Sequence, residues 1–198
     1  MKTIRKNKRG FTLVEMMLSL AIVGIVSGCL FTLVVAIKDS YINTYNSDDS
    51  TDYAMLFARG FENSFLANVQ DNSFHSATED VKWAIGVKNG HQVLAMQKGT
   101  TTTPVFECRQ MTVSRPNGTQ TDKWLIFMQF SWNDTTKLVG YDIYVVDNYY
   151  NPGVVKCKYS GSVYLPHFDN GSIEVHNCGI NTYGYPENSS SYITYKHA

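Results

Sequence analysis

Catalytic signatures are missing from this chain. It contains no G-x-S-x-G, no H-E-x-x-H and no P-loop, which removes the commonest hydrolase, metalloprotease and nucleotide-binding readings. Its five histidines are scattered, as hydrogen-bonded or surface groups are, rather than gathered as bases. Proline is scarce, with five in 198 residues and none before Pro104, so no proline interrupts a helix in the first half. Acid is absent from the first nine residues, which carry Lys2, Arg5, Lys6, Lys8 and Arg9. The remainder holds 12 basic and 17 acidic residues, a net charge of −5, which argues against a general nucleic-acid surface. No repeat of 20–50 residues and no low-complexity linker is visible.

A long hydrophobic run occurs once. From Phe11 to Ile37, 27 residues carry a single charge, the carboxylate of Glu15. As a helix this run is about 40 Å long and a bilayer core needs about 20 residues, so it is long enough to anchor. It also exceeds the roughly 7–15 residues of a cleaved secretory h-region. The basic head places the N-terminus on the cytoplasmic side and the body outside. Glu15 is the difficulty, because a charge at mid-bilayer costs about 2.5–3.5 kcal/mol even on lenient scales. A plain signal anchor leaves that cost unexplained. A lipoprotein signal is a second reading, since Val26-Ser27-Gly28-Cys29 has small residues before a cysteine. Against it, Glu15 sits inside the apolar run, and the residues after Cys29 stay apolar.

The third reading joins more residues. A short basic leader ends at Gly10 and is followed by "FTLVEMMLSLAIVGIV". This resembles the prepilin signature of type IV pilins and of the pseudopilins of secretion and DNA-uptake machines. The resemblance covers about 30 residues. It implies residues 1–10 as leader, cleavage after Gly10, Phe11 as the methylated N-terminus and residues 11–37 as a membrane and filament-core helix. Residues 38–198 then form an extracellular α+β head. It further implies that Glu15 of one subunit meets the terminal amine of a neighbour, a buried pair that sets register more than it adds stability. Helix chemistry offers a parallel account of Glu15, because Thr12-x-x-Glu15 fits a capping box. Gly24 and Gly28 form G-x-x-x-G, a spacing that allows close helix approach in lipid and is also ordinary in membrane helices. Thr32 stands near the point where many family members carry a proline.

Downstream, Tyr53, Phe57, Phe61, Phe65 and Val69 recur every four residues, which predicts an amphipathic helix with one core-facing stripe. "NSDDST" at 46–51 favours caps and turns and predicts a weakening midway, whereas the resemblance implies one spine over 11–70 packed under a sheet. Beyond about residue 80 the period changes to two. "VKWAIGVKNGHQVLAMQ" predicts a hairpin around Asn89-Gly90 of type I′. "VFECRQMTV", "KWLIFMQFSW", "LVGYDIYVVD", "VVKCKY", "SIEVHNC" and "SYITY" predict further strands, with "SRPNGTQTD" and "NDTTK" as polar turns. A helix followed by an antiparallel meander gives α+β as the fold class.

Four cysteines remain. Cys29 lies in the apolar run as a small buried residue. Cys108, Cys157 and Cys178 face the oxidising side, where three cannot all pair among themselves. By resemblance to the C-terminal loop that many pilins staple, Cys157–Cys178 is the expected bridge, with Cys108 to either partner as the alternative. Cys157, His167, His176 and Cys178 are a weaker zinc reading whose spacing matches no compact finger. Tyr149, Tyr150, Tyr183 and Tyr185 form a tyrosine cluster, read as an adhesive surface or as loop packing.

The expectation is therefore a non-enzymatic structural subunit, more a minor pilin or pseudopilin than a bulk one, without cofactors or metals. The partners it implies are a prepilin peptidase, other pilin subunits and the membrane assembly machinery. A surface ligand or DNA stays undetermined. The rival is a bilayer-anchored or lipid-anchored extracellular binding domain that never polymerises.

Overall fold

The structure, a computed structural model, describes residues 12–70, 80–107, 112–149, 152–165 and 171–197. The chain divides into two compact units, Met1–Tyr45 and Asn46–Ala198. One helix, α1 (Leu13–Gln70), contributes to both. Ten strands come after it: β1 (Val81–Lys88), β2 (His91–Lys98), β3 (Thr101–Glu107), β4 (Thr112–Ser114), β5 (Gln120–Asp122), β6 (Trp124–Asn133), β7 (Leu138–Asp147), β8 (Val155–Tyr164), β9 (Gly171–His176) and β10 (Tyr192–His197).

In the first unit α1 is apolar on every side. The stretch Leu13–Tyr41, 29 residues, is long and apolar enough to cross a membrane, and none of it is buried. A helix greasy all round is a core or membrane element, and here the described residues leave it uncovered.

In the second unit the predicted stripe is the core. Phe57, Phe61 and Phe65 are fully buried, with Tyr53 and Val69 nearly so. Their period of four keeps them on one face of the helix. Phe61 lies 5.4 Å from Phe130 and 5.2 Å from Tyr141, while Phe65 meets Trp83 edge-on at 4.8 Å. Each fully buried aromatic contributes about 1.5–3 kcal/mol of burial. Gly60 stands in the same helix because a Cβ there would come within 2.9 Å of the Phe106 Cβ on β3. The usual cost of a helical glycine, about 1 kcal/mol, is the cost of that close approach.

The helix does not weaken at 46–51. It runs through, with Ser50 buried and Asp49 3.6 Å from Lys123 Nζ. At Asp49 and Ser50, the ion pair and burial outweigh the local preference of Asp and Ser for caps.

The fold class α+β holds, but the strands form two principal antiparallel sheets instead of one meander. The larger has the order β3-β2-β1-β10-β9, and β6-β7-β8 form the other. The chain's last strand enters the larger sheet beside the first, with Val81 opposite Tyr195 and Trp83 opposite Ile193. The β1–β2 hairpin turns at Asn89 (φ 54°) and Gly90 (φ 83°), the two positive values that type I′ demands. Pro104 is tolerated because β3 is an edge strand. "SRPNGTQTD", expected as a turn, turns at 115–119 and pairs at its ends as the small hairpin β4–β5, with Ser114 opposite Gln120.

The two large sheets are joined by side chains that imitate a neighbouring strand. Asn177 accepts from Phe130 N (2.9 Å) and donates to Phe130 O (2.7 Å). Gln92 does the same at Ile126, accepting from its N at 2.6 Å and donating to its O at 3.1 Å. Two amides thus satisfy backbone groups along the outer edge of β6 that would otherwise be partly buried and unpaired.

Candidate functional site

The apolar segment of α1 begins with a closed hydrogen-bond ring. Thr12 N donates to Glu15 Oε2 at 2.8 Å, Thr12 Oγ1 donates to the same oxygen at 3.0 Å, and Glu15 N donates to Thr12 Oγ1 at 3.3 Å. This is the reciprocal capping box expected of T-x-x-E. It satisfies two amides at the helix start, and the acid sits where the helix dipole favours it. Ser19 lies one turn later and donates its hydroxyl to Glu15 O at 2.7 Å. The box engages Oε2, and a carboxylate has about four acceptor positions, so capping leaves it able to meet a cation.

Gly24 and Gly28 lie further along the same exposed helix, with no atom within 4 Å of where a Cβ would stand. Nine residues separate Glu15 from Gly24 and Ser19 from Gly28. At about 3.6 residues per turn that is about two and a half turns, so the polar and the small-residue stripes lie on opposite sides. Cys29 is exposed within the run, and its carbonyl accepts from Thr32 Oγ1 at 2.9 Å. Gly10 and Phe11 lie outside the described residues.

The prokaryotic N-terminal methylation motif matches residues 5–28 of this chain. The N-terminus of this chain is of the prepilin type. The matched residues take in Arg5, Lys6, Lys8, Arg9, Gly10, Phe11, Glu15, Gly24 and Gly28. No curated protein and no solved structure matches the chain. The pilin signal thus lies within the first unit.

The second unit does not join the cysteines as expected. Cys157 and Cys178 are both free. Cys157 lies in β8, opposite Val145, with its sulfur 3.7 Å from Thr51 Oγ1. Cys178 comes just after β9 in the other sheet, where its sulfur sits 3.0 Å from both Asn188 O and Ser191 Oγ. One thiol lies within β8 and the other beyond the end of β9, with different neighbours, which is why closeness in sequence does not become a bridge. The alternative partner, Cys108, lies outside the described residues. So does His167 of the zinc reading, and His176 instead stacks on Tyr192 at 4.9 Å. Among the described residues no three His, Cys, Asp or Glu side chains converge as metal ligands.

The tyrosines come together only in part, with Tyr183 stacked on Tyr185 at 6.4 Å between ring centroids. Tyr185 packs on Phe127 at 5.2 Å, whereas Tyr183 is 73% exposed. Tyr149 donates its hydroxyl to Ser114 O at 3.2 Å, and Tyr150 lies outside the described residues. The Gln92 and Asn177 clamps escaped sequence reading altogether, because an amide carries no mark of the strand edge it will meet.

Proposed function

We propose that this chain is a minor subunit of a type IV pilus or a related pseudopilus. It is cut after Gly10, methylated at Phe11 and built into the filament through its N-terminal helix. The observation that carries this reading is the methylation motif at 5–28 running straight into an uncovered apolar helix, Leu13–Tyr41. Such a helix needs lipid before assembly and other helices after it. Before assembly the subunit is a single-pass membrane protein with its head outside, and residues 11–37 are the part that moves from bilayer to filament core. In the filament, Glu15 meets the terminal amine of one neighbour while Gly24 and Gly28 face another on the opposite side. Contacts on two opposite sides are what an open, head-to-tail array requires and a closed dimer does not. The irregular C-terminal half, with two sheets and long loops, supports a specialised rather than a bulk subunit. The partners are a prepilin peptidase, sibling pilins and the assembly machinery of the membrane.

Mass spectrometry of the mature protein tests the reading. The expected product starts at methylated Phe11. A diacylglyceryl-modified N-terminal Cys29 would establish a lipoprotein, and an intact leader would establish a plain anchor.

A further inference from the structure

The two large sheets have four margins. A strand at a margin holds out unpaired amides and carbonyls, which natural proteins blunt with proline, charge, a bulge or short length. Three of the four are blunted here. β3 carries Pro104 at its middle, and its pairing with β2 shifts between Leu94 and Ala95. β9 is six residues long with Glu174 inside it. β6 is clamped by Gln92 at Ile126 and by Asn177 at Phe130.

The fourth margin is β8, a strand of ten residues at the end of β6-β7-β8. Its first part is blunted by Lys156, Lys158 and the register shift between Val145 and Val146 on β7. Its second part, residues 159–164, holds neither charge nor proline. Among the described residues no hydrogen bond reaches the outer margin of this run. A row of backbone donors and acceptors at strand spacing is matched by another strand. Cover over the core-facing side is also incomplete, since Val163 is buried whereas Tyr159 and Cys157 are only half-buried. On the other side Lys158, Ser160, Ser162 and Tyr164 are exposed, Tyr164 at 59%.

The blunted margins and the order of residues in the run together select the occupant. A second copy has β3, β6 and β9 closed to it in the same way, so the margin it can offer is β8. Antiparallel pairing of β8 with itself puts a two-fold axis through the sheet, the isologous arrangement commonest among homo-oligomers. Opposite residues share a face, so the axis passes at a residue and not between two. An axis at Cys157 would set Lys156 against Lys158, and one at Lys158 would set that lysine against itself, both unfavourable. An axis at Gly161 pairs the whole of residues 158–164. Tyr159 then faces Val163, an aromatic against a β-branched side chain, and Ser160 faces Ser162. Lys158 faces Tyr164, whose exposed ring can take the cation. Gly161, where a Cβ would collide with the Tyr141 ring, faces its own copy.

We infer that two copies of this chain pair through β8, antiparallel about Gly161, so that the two small sheets become one. The helix packs along the inner face of the sheet, with Phe61 against Phe130 and Tyr141. A two-fold axis through the sheet therefore sets the helices of the two heads in opposite directions. Subunits of one head-to-tail array run the same way, so in filaments this contact joins chains of separate filaments. The pairing goes beyond the assembly reading and does not depend on it, since β8 lies wholly in the head.

Disulfide trapping on the mature full chain in detergent micelles tests it, with Cys29, Cys108, Cys157 and Cys178 changed to serine. A mixture of Ser160→Cys chains and Ser162→Cys chains should give a cross-linked dimer under mild oxidation. Either chain alone should give several-fold less. A second arm keeps the native cysteines and reads the dimer by sedimentation at submillimolar concentration. Tyr164→Lys sets a lysine against Lys158 at both ends of the pair and should weaken the dimer about tenfold, whereas Tyr164→Glu should keep it. Both are changes at an exposed position, and they decide the matter if the serine background fails to fold. Absence of a wild-type dimer, equal cross-linking in all three preparations, or equal dimerisation of the lysine and glutamate variants would each overturn the inference. So would Ser162→Cys cross-linked to a different pilin in sheared filaments, which would assign the margin to a sibling subunit.

Discussion

Replacing Glu15 by valine removes the carboxylate that Thr12 holds through its amide and its hydroxyl. Membrane insertion should survive or improve, because a charge has left the apolar run. Incorporation into filaments should fall sharply if a neighbour's amine depends on that carboxylate, since stranding one half of a buried pair costs about 3–5 kcal/mol. Glu15→Gln separates the roles: it retains much of the capping geometry and loses the charge. On the pairing account it fails nearly as badly as valine; on capping alone it behaves close to wild type. The ratio of sheared filament to membrane-held subunit is the measurement, and normal incorporation of both variants would defeat the pairing.

A second residue-scale test lies in the head, where Tyr141 donates its hydroxyl to Glu62 on α1. Burial, and then this hydrogen bond, push the phenol's pKa above its ordinary 10.0. Above about pH 10 the unfolded chain therefore gives up this proton while the folded chain keeps it, so this contribution to stability is lost as pH rises. Tyr141→Phe should cost about 1–3 kcal/mol at neutral pH. That difference should narrow in denaturant titrations carried above pH 10. A constant gap would show that the phenol does not titrate differently in the two states.

Among the elements, the join between the two sheets rests on Asn177 and Gln92. Asn177→Ala leaves the Phe130 amide and carbonyl without their partners in a partly buried place, and Gln92→Ala does so at Ile126. Each should destabilise the head by about 1–3 kcal/mol. Hydrogen exchange should localise the effect, with the Phe130 amide opening faster in the first variant and the Ile126 amide in the second. Exchange unchanged at both amides would mean that β6 is protected by something other than these side chains. The helical half within the head is tied to the sheets most closely at its phenylalanines, where Phe61 alone touches Phe65, Phe130 and Tyr141.

For the whole molecule, the proposed single-pass arrangement makes charge the determinant of orientation. Lys2, Arg5, Lys6, Lys8 and Arg9 precede an apolar helix with no buried residue over Leu13–Tyr41. Replacing these five with neutral residues should leave the chain in the membrane and scramble its orientation, because the bias of Lys and Arg sets topology while hydrophobicity sets insertion. Protease added outside intact spheroplasts should cleave the head of the wild type completely and that of the variant only in part. Complete cleavage in both would place the topological signal elsewhere.

Periodicity and turn chemistry are local, so they could be read from the chain alone. The 27-residue apolar run, the T-x-x-E box, the four-residue stripe from Tyr53 to Val69 and the Asn89-Gly90 hairpin each depend on residues a few positions apart. The motif around Gly10 and Glu15 was legible for the same reason. Sheet partners are decided at long range, by which strand's inner face completes the cover of the helix. Only the tertiary structure could put β10 beside β1, divide most strands between two large sheets and give Cys157 and Cys178 different neighbours. It alone also made Asn177 and Gln92 stand in for a strand, because a side chain's worth there depends on what the rest of the chain brings against it.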